Sequence, residues 1–126
     1  MPLTNRIPAA APAVNPSAIV LLERIGGERL VRELVSLYHG YVPVRRAEAR
    51  AACDAGDLEG VRRACHALRS GSAQLGLDAV ARWCAECEAR ATAGDGAVLR
   101  GLLDAMETAS DEALRWLDTR GWRAAA

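Results

Sequence analysis

The chain has 126 residues, about the size of one domain, which excludes a two-domain enzyme. Alanine supplies 26 positions and there are only five aromatics, none of them phenylalanine, so the composition favours helices and excludes an all-β sandwich. Sixteen basic residues, all arginine, balance sixteen acidic ones, so bulk charge gives no support for a nucleic-acid partner, and no window approaches the roughly 18 to 20 apolar residues of a membrane span.

Residues 1–14, MPLTNRIPAAAPAV, carry three prolines and no periodicity and are expected to form a disordered leader or linker ahead of a single domain over 15–122. No signal peptide is visible, so a cytoplasmic protein with reduced cysteines is expected. Asn15 followed by Pro16 predicts a capped helix start, with a short helix that Gly26-Gly27 stops. From Glu28, Leu30, Val31, Leu34, Val35, Tyr38, Tyr41 and Val42 recur at three and four residues and predict a long helix to Asp54, which Pro43 should kink near Gly40 or split. Asp57 can cap the next helix, with Leu58, Val61, Cys65, Leu68, Ser72 and Leu75 on one stripe and Gly76 at its end. Asp78 opens a third, with Val80, Cys84, Cys87 and Ala91 facing inward, and Gly94-Asp95-Gly96 closes it. A fourth runs from Val98 to near Gly121. The fold class is therefore all-α: an antiparallel up-down four-helix bundle with a short additional N-terminal helix.

Histidine occurs twice, as His39 and His66. With Cys65 as zero and about 100° per residue, Leu58, Val61, Leu68 and Ser72 fall between about −60° and +20°, whereas His66 lies at about 100° and points out of the core. Arg62, Arg63, Arg69 and Ser70 lie within a turn of it. Three guanidinium groups favour an anion, and Ala67, Ser70, Gly71 and Ala73 leave the approach open. Gly71 is costly inside a helix, by about 1 kcal/mol against Ala, which suggests that something comes close to its backbone.

The segment Cys65-His66-Ala67-Leu68-Arg69-Ser70-Gly71-Ser72-Ala73-Gln74-Leu75-Gly76 resembles the signature of histidine-containing phosphotransfer (HPt) domains, His-x-Leu-Lys-Gly-Ser-Ser-x-x-Leu-Gly. The likeness continues through Ala79 to Glu88 and upstream in Ala55-Gly56-Asp57, and it covers residues 15 to 120. Arg69 stands in place of the usual Lys, and Ser70-Gly71 reverses the usual Gly-Ser order. The resemblance implies a phosphorelay intermediate without autokinase activity, in which His66 accepts a phosphoryl group from a receiver-domain aspartyl phosphate and passes it to the Asp of a response regulator. It further implies that Arg69, with Arg62, holds phosphate oxygens, that Gln74 orients the segment or the imidazole, and that Ser70, Gly71, Ala73 and Leu22 belong to the docking face. No cofactor is expected on this chain, the Mg²⁺ being on the partner receiver. Receiver domains are the expected partners of a monomer that binds neither nucleic acid nor membrane.

Two other readings stay open: a helical adaptor that is not phosphorylated, and a small thiol or zinc protein. Cys84-x-x-Cys87, with Cys53, Cys65 and His66, could supply ligands. Cys65, Cys84 and Cys87 fall on apolar stripes, however, where free cysteine behaves as a small hydrophobe, so no metal is expected. His39 and the three tryptophans read as structural, and Ile19, Leu22, Leu37 and Tyr38 as core or lid.

Overall fold

The computed structural model describes residues 13–122. Its elements are α1 (Pro16–Asp54), α2 (Leu58–Gln74), α3 (Asp78–Thr92) and α4 (Leu99–Thr119), with one 3₁₀ turn at Gly96–Val98 before α4. No strand occurs among the described residues, and no described helix is long and apolar enough to cross a membrane. The chain is a helical bundle.

The predicted short first helix and long second helix form the two parts of α1. Gly27 separates them with φ 74° and ψ −175°, a left-handed backbone that glycine adopts without steric cost. Pro43 neither splits the helix nor makes a second break: Gly27 is the only residue inside α1 with non-helical backbone angles. The expectation of a split there is corrected. Pro43 lies on the exposed face, where water can take the carbonyl that its missing N–H leaves unbonded.

The caps follow the sequence. The Asn15 side chain accepts from Ser17 N–H at 3.1 Å, and the Asp57 side chain accepts from Gly60 N–H at 3.0 Å. Residues 1–12, most of the predicted leader, lie outside the described residues. Of the residues assigned by sequence to that leader, Val14 is packed against the core, and Ala13, although exposed, accepts from Ala79 N–H at 3.2 Å through its carbonyl. The Asn15 amide donates to the Gly76 carbonyl at 2.7 Å, so the chain enters across the turn that joins α2 to α3. A β-carbon on Gly76, itself at φ 73°, would overlap the Asn15 carbonyl oxygen.

The core is aliphatic, with Val31, Val35, Leu68, Leu77, Leu102, Leu103, Met106 and Leu117 fully buried. Each such side chain contributes about 1.5 to 3 kcal/mol by leaving water. The most extensive pairing is α2 with α3, where Cys65 lies against Cys84 and Cys87 and the small buried side chains Ala64 and Ala91 let the helix axes approach. At the α1 to α4 rim Arg50 pairs with Glu107 at 3.0 Å and also with Asp104, and Arg46 pairs with Asp111 at 2.7 Å. Trp83, Trp116 and Trp122 are partly buried against the core as expected, with guanidinium groups of Arg120 and Arg32 over the last two rings. Ile19 and Tyr38 are core and Leu22 is half-buried, but Leu37 is 64% exposed and plays no part in packing.

Candidate functional site

His66 sits midway along α2 with its side chain 53% exposed, on the flank that the 100° rotation from Cys65 predicts. Its neighbour across the groove is Glu88 of α3. Nδ1 of His66 lies 2.8 Å from Glu88 Oε1, and a carboxylate can only accept, so the ring nitrogen donates. A neutral imidazole held this way carries its proton on Nδ1 and presents the Nε2 lone pair away from Glu88.

Arg69, one turn beyond His66, is tied to the same carboxylate. Its Nε stands 2.8 Å from Glu88 Oε2, an ion pair whose N–H is not aligned for a hydrogen bond, and its Nη2 lies 3.3 Å from His66 Nδ1. Glu88 itself is only 13% exposed. A largely desolvated carboxylate thus has one oxygen on the imidazole and the other against a guanidinium, which keeps its charge paired. Nδ1 cannot serve both neighbours: it donates to Glu88 or accepts from Arg69, and the shorter contact favours Glu88.

The remaining sequence candidates divide. Ser70 is exposed, and its hydroxyl donates to the His66 carbonyl at 3.2 Å. Ala73 is exposed farther along α2. Arg62 is engaged with Glu59 through Nε at 2.9 Å and Nη2 at 2.7 Å, which pulls Glu59 below and Arg62 above their ordinary ranges. Gln74 is exposed at the end of α2, eight residues and therefore roughly 12 Å along the axis from His66, and no hydrogen bond joins it to the ring. Leu22 lies on the N-terminal arm of α1, packed partly against the core.

Gly71 has a local explanation. A β-carbon there would overlap the hydroxyl oxygen of Tyr41 and lie 2.5 Å from its Cζ, so the close approach that the sequence suggested comes from α1 of the same chain. Beside it, the Tyr38 hydroxyl and Ser72 Oγ are 2.8 Å apart, and Ser72 donates to the Leu68 carbonyl at 2.7 Å. These contacts seat α2 on α1 one to two turns from His66.

Sequence reasoning singled out His66 and Arg69 but not Glu88. Both His66 and Glu88 directly follow a buried cysteine, Cys65 and Cys87, and so leave their stripes by the same angle. In antiparallel neighbours that shared offset puts them on one rim. It was the available signal.

The thiol alternative is not supported by the geometry. Cys65, Cys84 and Cys87 are free and buried. Burial pushes the Cys84 thiol up, and the hydrogen bond between Cys87 and Cys65, together with burial, pushes up Cys87, so neither is an available thiolate. No group of three ligating side chains among the described residues is arranged for a metal. His39 is half-buried between α1 and α4, 3.6 Å from Asp118.

The model of the Hpt domain matches residues 33–116. Among solved structures the chain resembles histidine-containing phosphotransfer protein B (HptB) from Pseudomonas aeruginosa PAO1, at 23% identity and a TM-score of 0.81, covering 90% of this chain and 96% of that one. No curated protein gives a significant match. With a bundle of this form, an outward histidine on its second helix and a family match spanning most of the domain, the chain belongs to the Hpt domain family of histidine phosphotransfer proteins in two-component phosphorelays.

Proposed function

We propose that His66 is the phosphoryl-carrying residue, taking the group through Nε2 from the aspartyl phosphate of one receiver domain and passing it to the aspartate of a response regulator. The observation that supports this reading is the Nδ1 to Glu88 hydrogen bond, which leaves Nε2 as the free nucleophile on an exposed ring. In the forward step the Nε2–P bond forms and the P–O bond to the donor carboxyl breaks, its electron pair staying on that carboxylate. The ring becomes cationic for as long as it keeps the Nδ1 proton, and Glu88 lies where it stabilises that charge. Transfer onward reverses each step.

Arg69 keeps its pairing with Glu88 and, having five N–H donors, can offer others to the phosphoryl oxygens. Mg²⁺ would be held by the receiver's carboxylates, so the chain itself supplies positioning and charge and no metal. Its working form is a cytoplasmic monomer that meets receivers one at a time, with Ser70, Ala73 and the N-terminal arm near Leu22 within the docking face.

The test is transfer from a phosphorylated receiver. Wild type is labelled, His66→Gln is not, and His39→Gln is labelled normally. The label is lost in acid and survives in base, as a phosphoramidate does. Equal labelling of the His66 variant rejects the reading.

A further inference from the structure

Tyr41 is half-buried in the groove between α1 and α2, edge-on to Tyr38 with ring centroids 5.5 Å apart. Its hydroxyl oxygen occupies the place where a side chain at position 71 would begin, above the bare α-carbon of Gly71. Unlike the Tyr38 hydroxyl, which is bonded to Ser72, it has no hydrogen-bond partner among the described residues. A tyrosine usually pairs its hydroxyl when the ring is packed. This one is packed against backbone on one side and left with an unused donor at the surface.

The location gives that donor a use. Residues 66 and 71 are five apart on α2, so their α-carbons are roughly 9 Å apart. A stable protein interface covers about 800 Å² per partner, a disc of about 16 Å radius, so a receiver seated on His66 reaches the α1 to α2 groove. The reversed Ser70-Gly71 order also acquires a cause: the signature places a serine at position 71, and here a glycine admits a hydroxyl supplied from α1.

We propose that the Tyr41 hydroxyl is a docking donor for the receiver, hydrogen-bonding a backbone carbonyl of the bound domain from the place that a serine at position 71 would otherwise fill. The proposal rests on the phosphorelay reading and names one contact of its partner. Desolvation raises the Tyr41 pKa, so the hydroxyl keeps its proton near neutral pH and has it to donate. The hydrogen bonds and ion pairs of the His66 imidazole and of Glu88 run to each other and to Arg69, not to Tyr41. Its part is recognition, and it belongs to the affinity of the encounter and not to the rate of chemistry.

The experiment is single-turnover transfer from a phosphorylated receiver at varied receiver concentration. Tyr41→Phe keeps the ring and removes the hydroxyl; it should raise the half-saturating receiver concentration about fivefold and leave the saturating rate unchanged. Gly71→Ser alone should destabilise the fold by collision with Tyr41, whereas Tyr41→Ala combined with Gly71→Ser should regain affinity relative to Tyr41→Ala alone. An unchanged half-saturating concentration for Tyr41→Phe, or a double variant no better than Tyr41→Ala, overturns the proposal. Wild type labelled at His66 in the same assay separates that failure from failure of the phosphorelay reading, in which wild type itself takes no label.

Discussion

Glu88 joins Arg69 to His66: its Oε2 lies 2.8 Å from Arg69 Nε and its Oε1 lies 2.8 Å from His66 Nδ1. The guanidinium is therefore already held before any phosphate arrives. Arg69→Ala removes both a cation for the phosphoryl oxygens and the counter-charge of a largely buried carboxylate. The saturating transfer rate should fall about tenfold, with receiver affinity little changed. A loss of affinity alone, at an unchanged saturating rate, would show that Arg69 serves docking and not the transferred group.

Glu88→Gln tests the proton on the ring. The amide is nearly isosteric but can donate to Nδ1, which would move the ring proton to Nε2 and mask the nucleophile. Transfer should fall at least tenfold while circular dichroism stays unchanged. Nitrogen NMR of the His66 ring should show the proton on Nδ1 in the wild type and a shift toward Nε2 in the variant. An Nε2-protonated ring in the wild type would contradict the assignment.

Two helix-interior glycines should respond with opposite sign. At Gly101 nothing lies within 4 Å of an added β-carbon, so Gly101→Ala should stabilise the protein by about 0.5 to 1 kcal/mol through helix propensity. Gly71→Ala meets the Tyr41 ring and should destabilise by about 1 to 3 kcal/mol, the usual range for overpacking. Urea titration of both variants measures the difference. Equal gains would mean that Tyr41 yields freely.

Stability should decline at alkaline pH. Burial pushes up the Tyr38 hydroxyl and the Cys84 thiol, and the Cys65 contact together with burial pushes up Cys87, so the unfolded chain releases these protons first. Groups raised in the folded state contribute stability in full below their unfolded values, 9.0 for the thiols and 10.0 for the phenol, and lose it as pH climbs beyond them. Tyr38→Phe should flatten the part of the decline above pH 10, although it is less stable at neutral pH because Ser72 loses one of its two partners, keeping only the Leu68 carbonyl. An equal slope in both proteins would reject a buried, protonated Tyr38.

The helices, their caps and the outward direction of His66 were legible in the sequence because each depends on residues a few positions apart. Asn15, Asp57, Gly76 and the Cys65 to Ser72 stripe carry that information locally. The partners of the site were not, because they depend on how far one helix slides along another. Glu88 is 22 residues from His66, and the carboxylate that orients the ring is on α3, whereas the sequence offered Gln74 on the histidine's own helix. Tyr41 and Gly71 likewise meet only through the register of α1 against α2. Pro43 misled in the other direction: the break expected at Gly26-Gly27 is present at Gly27, whereas Pro43, on an exposed face, does not split the helix.

The turn over residues 75–77 sets where α3 starts against α2. Its backbone is pinned by the Asn15 amide on the Gly76 carbonyl, and Ala13 reaches across to Ala79. One residue added to the turn would disturb the hand-over from α2 to α3 and so the level at which Glu88 meets His66, although each helix could still form and the buried stripe of Val80, Cys84, Cys87 and Ala91 would still face the core. The spacing between two helices therefore acts as a length standard for the site, and the entering chain is what keeps that standard fixed.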